Sequence, residues 1–445
     1  MSNGVPEGWS CKQLGDYVAE SVAGEWGSEA TGDTSDIPVI RSTNFTASGR
    51  INYSKLAYRN IEKRKRLKKS LKFGDIVLEK SGGSPTQPVG RVVYFDKTEP
   101  FLFSNFTQKL SPTDDCDSKF LFYKLYFEYQ NGTVLKFQQQ TTGIINFQLA
   151  EYLGFKSSSP PLPEQQKIAT ILSSVDDVIE KTRAQIDKLK DLKTGIMQEL
   201  LTKGIGPGGV PHTKFKDSPV GRIPAGWGIA RVNEIQAKAK YSCVGGPFGS
   251  DLTSKHYVEK AGVPVIRGSN LPLDFRRFND QGFVYVSEKK ADSLSKNMAY
   301  PGDLVFTQRG TLGQVGLIPD DARYKRYVVS QSQMKLTIDE LIVNKEFLYQ
   351  FFLSGTFLRA LDQQTIATGL PHINLGILKS FVLPLPPMPE QVEIGAVLSA
   401  VDRKTGKLRA KLDTHIALKK ALMQDLLTGK VRVNVAEKER EPVVA

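Results

Sequence analysis

Apolar residues recur along two stretches of the chain in alternating steps of four and three. The first set is Ile168, Leu172, Val175, Ile179, Thr182, Ile186, Leu189, Lys193, Ile196 and Leu200. The second is Ile394, Leu398, Val401, Thr405, Leu408, Leu412, His415, Lys419, Leu422 and Leu426. Such steps keep one narrow helical face apolar, a heptad seam with a few polar interruptions. Each run opens on Pro-Glu-Gln, at Pro163-Glu164-Gln165 and Pro389-Glu390-Gln391. Proline is tolerated in a first helical turn, where its missing N–H has no intrahelical partner. The glutamate suits the positive end of the helix dipole. Gly204 and Gly429 predict the helix ends. A helix of nearly forty residues is roughly 58 Å long, and alone in water its seam would stay exposed. The matched seams predict that the two helices pair antiparallel. Lys193, Lys419 and His415 read as register-setting or end-exposed members of the seam.

The rhythm changes ahead of each helix. Short β-branched or aromatic runs (Ile37-Pro-Val-Ile, Asp75-Ile-Val-Leu, Arg91-Val-Val-Tyr-Phe) stand between glycine and polar clusters and predict strands. Phe120–Tyr129 and Glu346–Phe357 predict amphipathic helices. These pieces are written twice. VPEGWS at Val5 returns as IPAGWG at Ile223, Ile37–Phe45 as Val263–Leu271, and Phe73–Gly83 as Pro301–Thr311. Ser104–Leu110 returns as Ser330–Leu336, Thr141–Phe147 as Ala367–Leu375, and PLPEQ at Pro161 as PMPEQ at Pro387. The order is kept, and the shift stays between 218 and 228 residues. So long a period means domain duplication, not a solenoid. The predicted organisation is a first globular domain over 1–160, a long helix over 161–204 and a Gly/Pro-rich linker over 205–222. A second globular domain over 223–386, a second long helix over 387–430 and a short frayed tail over 431–445 follow. The fold class is mixed α/β: two globular domains separated by two helices that form an antiparallel coiled coil, with internal pseudo-twofold symmetry.

The bulk numbers narrow the chemistry. With 445 residues, 40% of them hydrophobic, the chain exceeds one core and has apolar surface to bury. No run of about 18 apolar residues predicts a membrane span, and no secretory pattern opens the sequence. Cys11, Cys116 and Cys243 are scattered, which fits a reducing cytoplasm and argues against zinc or a disulfide framework. The net charge of +13 points to a polyanionic partner, most simply nucleic acid, or to a merely basic surface.

Catalytic signatures are missing. The nearest approach to a phosphate-binding loop, GSEATGDT at Gly27, has Asp33 where a lysine must reach the phosphates. No GxGxxG follows a strand, and no Asn-Pro-Pro-Tyr-like run supports amino methylation of a base. His212, His256, His372 and His415 stand apart from other metal ligands. Asp117-Ser118-Lys119 fits the loose end of a nuclease site but sits in a loop-like acidic stretch without a second copy.

Groove readout needs Arg, Lys, Asn, Gln, Ser or Thr on loops, and phosphate positioning needs cations, hydroxyls and free backbone N–H groups. Four duplicated places supply them. Arg41, Ser42 and Asn44 follow one predicted strand, as do Arg267, Ser269 and Asn270. Lys80, Ser81, Gly82 and Gly83 follow another, matched by Gln308, Arg309, Gly310 and Thr311. The Lys80 and Gln308 loops could instead form a plain surface hairpin. Gln140, Thr141, Thr142 and Gly143, with Gln364, Thr365, Thr368 and Gly369, carry amides suited to adenine edges or make an ordinary turn. Lys63, Arg64, Lys65 and Arg66 open the densest basic run, a phosphate contact or a solvated face; its counterpart is only Lys289-Lys290.

The repeated PxPEQ…LSxVD block, with LK…MQ-LLT at Leu192 and Leu418, resembles the specificity subunit of type I restriction–modification systems across almost the whole chain. That resemblance implies two target-recognition domains, each reading one half of a bipartite double-stranded DNA site, with the helices as spacer. Glu164, Ile168, Leu172, Ile179, Ile186, Glu390, Ile394, Leu398, Leu412 and Leu422 would form that spacer. The resemblance further implies no cofactor and no catalytic residue in this chain. Two modification (adenine methyltransferase) subunits would carry S-adenosylmethionine, and restriction (translocase/nuclease) subunits ATP and magnesium. The alternative is a stand-alone bivalent DNA-binding protein.

Overall fold

A computed structural model describes residues 5–141, 143–259, 262–272, 276–367 and 369–435. The chain divides into two compact units, Met1–Lys181 with Asp413–Ala445, and Thr182–Leu412. Both long helices are continuous, Leu162–Lys203 and Met388–Leu426, and each contributes residues to both units.

The first unit holds a four-stranded antiparallel sheet in the order Val18–Ala23, Thr107–Pro112, Ile76–Glu79, Val92–Tyr94. A second sheet orders Ser28–Glu29, Ala57–Asn60, Asp36–Ile40 and Leu102–Phe103, the last pair parallel. Strands Ile76–Glu79 and Val92–Tyr94 are largely buried because their β-branched residues pack on both faces, Ile76 and Val92 into one core, Val77 and Val93 into another. Helix Ser118–Gln130 covers this sheet, with Asp117 capping its start.

The second unit repeats the plan. Its four-stranded sheet runs Cys243–Gly245, Gln333–Leu336, Leu304–Thr307, Val315–Leu317, the same order two hundred and more residues later. A five-stranded sheet is built around Val263–Ile266. The single helix expected over Glu346–Phe357 is instead two, Lys345–Phe352 and Gly355–Gln364. Ser354 causes the break: its hydroxyl accepts from Phe357 N at 3.2 Å, restarting the helix, and Gly355 is a poor helix interior.

The heptad seams are buried or half-buried at every position. In the first unit, Ile168 and Leu172 share a core with Met423, Leu426 and Leu427. In the second, Ile394 and Leu398 share one with Leu201, flanked by Ile196, Met197 and Leu200. Each core also holds its own domain's aromatic residues, so a long helix packs on its partner and on a globular domain together. The seam lysines are paired. Lys419 Nζ lies 2.7 Å from Asp176 Oδ1, and Lys193 Nζ 2.7 Å from Asp402 Oδ1. Both pairs link residues whose numbers fall as their partners' rise, which is antiparallel register. Burial pulls the Lys193 ammonium below its usual range, and Asp402 opposes that shift.

The Pro-Glu-Gln glutamates are junctions as well as helix starts. Glu164 accepts from the Trp9 indole at 3.2 Å and from Arg432 Nε and Nη2 at 2.8 Å each. Glu390 accepts from the Trp227 indole at 2.9 Å, Ile205 N at 2.8 Å, and meets His212 Nε2 at 3.1 Å. The linker and the described part of the tail both make contacts. Linker strand Phe215–Lys216 pairs with Ile223–Pro224, and Arg432 anchors the described part of the tail. The adjacent glutamines repeat one bonding pattern: Gln165 binds Pro160 O and Asp117 N, Gln391 binds Pro386 O and Asn344 N. No helix among the described residues is long and apolar enough to cross a membrane.

Candidate nucleic-acid interface

In the first unit, strand Asp36–Ile40 runs into a 3-10 turn at Ser42–Asn44. Asn44 is 2% exposed and is spent holding this turn. Its Oδ1 accepts from Arg41 N at 2.9 Å, and its Nδ2 donates to Asn52 O and Lys55 O at 3.1 Å each. Asn270 does the same in the second unit, accepting from Arg267 N at 3.0 Å and donating to Asn279 O at 3.0 Å and Gln281 O at 3.1 Å. Both were candidates for base contact, and both amides are fully engaged inside the fold. What the turns leave outward is Thr43 and Ser269, with Arg41, Ser42 and Arg267 half-buried beside them.

Strand Ile76–Glu79 delivers the next candidates. Lys80 N donates to Phe106 O at 2.9 Å, and Phe147 N donates to Lys80 O at 2.8 Å. Ser81–Gly82 then joins the hairpin of Gln138–Thr141 and Ile144–Phe147 as a third strand, with Ser81 Oγ 2.8 Å from Asn146 Oδ1. The hairpin tip carries Gly143 in the left-handed region at φ 87°. The glycine loop forms the edge of a hairpin whose Gln139 and Gln140 are exposed. Burial lowers the Lys80 ammonium from its usual range, and the charge of Lys69 adds to the effect.

The second unit places its residues on the same frame. Gln308 N donates to Ser332 O at 2.7 Å, and Ile373 N donates to Gln308 O at 3.0 Å. Arg309 bridges to His372, which bridges to Ile366. Gly310 takes φ 108°, and Arg309 and Thr311 are exposed. The two glutamine runs part company here. Gln140 lies in a strand, whereas Gln364 ends helix Gly355–Gln364 and Thr365 caps it through Leu361 O at 2.8 Å. Gly369 is an open turn position at φ 75°, and Thr142 and Thr368 lie outside the described residues.

The basic run forms a helix, Lys63–Lys69. Lys65 and Lys69 pair with Glu25 at 3.3 and 3.0 Å, and Arg66 Nη1 donates to Ser35 O at 3.3 Å. Lys63 and Arg64 are left exposed. Its counterpart, Lys289-Lys290, also sits in a short helix, Glu288–Ser293.

One residue that the sequence did not single out joins the turn to the glycine loop. Arg91 Nε lies 2.7 Å from Glu79 Oε2, and Arg91 Nη2 donates to Ser42 O at 3.0 Å. A cavity of about 430 Å³ opens there, lined by Ser42, Thr43, Gly83, Ser84, Gln87 and Arg91 among others. The available signal was a charged residue opening an otherwise apolar strand. Trp9 and Trp227 were seen only as parts of a repeated motif; their bonds to Glu164 and Glu390 needed the fold.

Comparison with known proteins follows this geometry. Residues 6–191 and 252–417 match the type I restriction modification DNA specificity domain family. The type I restriction enzyme MjaVIII specificity subunit of Methanocaldococcus jannaschii is 27% identical over 321 residues, 71% of this chain and 71% of that protein. The EcoKI specificity subunit of Escherichia coli is 23% identical, covering 89% of this chain and 82% of its own length. The crystal structure of the type I restriction–modification S subunit from M. genitalium shares the fold, with a TM-score of 0.60 at 15% identity over 96% of this chain and 97% of that one. With a duplicated fold, paired long helices and a family match over both copies, the chain belongs to the specificity subunits of type I restriction–modification systems.

Proposed function

We propose that this chain is the non-catalytic DNA reader of its complex, and that its two domains read unlike halves of one bipartite, asymmetric double-stranded site. The observation that carries this reading is a duplicated loop frame dressed with different side chains. Lys80 and Ser81 stand in one copy, and Gln308 and Arg309 in the other. Different donors and acceptors on one frame select different base edges. The exposed Lys63 and Arg64 and the charge of +13 add phosphate affinity without sequence information. The paired helices act as a spacer of fixed length and as the docking surface for two modification subunits. Linking two readers on a stiff spacer admits only half-sites at the matching separation. The modification subunits bring S-adenosylmethionine and adenine methylation, and restriction subunits bring ATP and magnesium. The complex works in the cytoplasm.

The test is co-expression with the modification subunits in a methylation-free host, followed by single-molecule methylation sequencing. The expected product is methyladenine within two unlike half-sequences at a fixed gap. A contiguous or palindromic motif contradicts the proposal.

A further inference from the structure

Two chemically unlike residues hold the same place in the two recognition domains. Arg91 immediately precedes strand Val92–Tyr94, and Gln314 immediately precedes Val315–Leu317. Each faces the last residue of the neighbouring strand, Glu79 or Thr307. Each also reaches across to the turn that follows the first central strand. Arg91 binds Glu79 through Nε at 2.7 Å and Nη2 at 3.1 Å, and donates from Nη2 to Ser42 O at 3.0 Å. Its guanidinium lies 5.5 Å from the Phe45 ring centre. Gln314 Oε1 accepts from Thr307 Oγ1 at 3.1 Å, and Gln314 Nε2 donates to Leu271 O at 2.7 Å and Gly268 O at 3.4 Å. Ser42 O and Gly268 O are equivalent under the 226-residue shift of the duplication. A charged pair in one copy and a neutral pair in the other therefore make one connection.

We propose that Arg91 and Gln314 are positioning residues that latch the strand-end loop to the turn on each reading face, and that neither reads a base. The proposal rests on the function proposed above. An arginine beside a DNA-reading loop invites assignment as a guanine contact. The geometry points elsewhere. The Arg91 side chain is 13% exposed, the Glu79 side chain 3%, and the guanidinium edge formed by Nε and Nη2 is turned to Glu79 and the turn carbonyl. The second copy makes the same link with no charge, so the charge itself is not what the face requires. Asn44 and Asn270 hold each turn from within, and the latch fixes it to the loop from without. Lys80-Ser81 and Gln308-Arg309 then project from a frame fixed at both ends.

The experiment uses the full chain with its modification subunits, scored by methylation sequencing and by binding to the wild-type site and to sites with either half replaced. Arg91→Ala is expected to weaken binding to the wild-type site by at least about tenfold, the scale of one lost base contact. That variant leaves Glu79 buried without its cation and can misfold. The decisive variant is therefore the double change Glu79→Thr, Arg91→Gln, which transplants the neutral latch. It is expected to bind within about threefold of wild type and to methylate the same two half-sequences. An altered or relaxed first half-sequence, with the second intact, overturns the proposal by making Arg91 a base reader. Full affinity and unchanged sequence in Arg91→Ala overturn it too, since the latch would then position nothing. The wild-type methylation pattern is the separate control for the function on which the proposal rests.

Discussion

Residue identity and residue role separate at the turns. Asn44 and Asn270 have the chemistry of adenine readers, and the sequence alone offers no way to see that their amides are consumed. The deciding partners lie 8 to 11 residues further on and are backbone carbonyls, which carry no sequence signature. Replacing either by alanine removes three hydrogen bonds to part-buried backbone groups and should cost about 2 kcal/mol. For units of this size the melting temperature should fall roughly 4–8 °C, read by calorimetry on the full chain. A melt unchanged from wild type would return these residues to the list of free contacts. Close approach is equally silent in sequence. A Cβ added at Gly24 would stand 2.0 Å from Ser104 O, and one at Gly246 1.9 Å from Ser330 O. Both glycines let the loop cross the neighbouring strand end, and nothing local announced it.

At the scale of elements, periodicity made the long helices and the central strands legible, because burial on one face leaves a local trace. What it left out is polar wiring between elements. Asp402 is the clearest case: it takes Lys193 at 2.7 Å from the other helix and Gln350 at 2.7 Å from the globular domain of its own unit. Asp176 takes Lys419 at 2.7 Å and Tyr123 at 2.7 Å in the same way. Burial first, and then the Asp176 carboxylate, raise the Tyr123 phenol above its usual range. One aspartate thus fixes helix to helix and helix to domain. Lys193→Met should destabilise the fold by about 3–5 kcal/mol, because it strands a buried carboxylate. Adding Asp402→Asn should restore most of that loss in chemical denaturation. The new amide removes the charge and still accepts from Gln350 Nε2. If the double variant is no more stable than the single, the charge was not the cost.

For the whole molecule, the ion pairs constrain any change in the length of the paired helices. Seven residues inserted into one helix would move Lys193 or Lys419 off its aspartate. Seven inserted after Lys181 and seven after Lys407 fall between the two pairs in both helices and keep each pair matched. The rods grow by about 10 Å at 1.5 Å per residue, while two added turns return the seam to within roughly 20° of its old face. Methylation sequencing of this variant should find the gap longer by about three base pairs and both half-sequences unchanged. A changed half-sequence with an unchanged gap would remove the spacer role. The division of the chain has a further consequence, in time. Thr182–Leu412 is continuous, whereas the other unit combines Met1–Lys181 with residues from Asp413 onward. A ribosome therefore releases every residue of the second unit before the first can close. The domain encoded first is completed last, and until Met423, Leu426 and Leu427 emerge, the apolar face around Ile168 and Leu172 waits uncovered on the nascent chain.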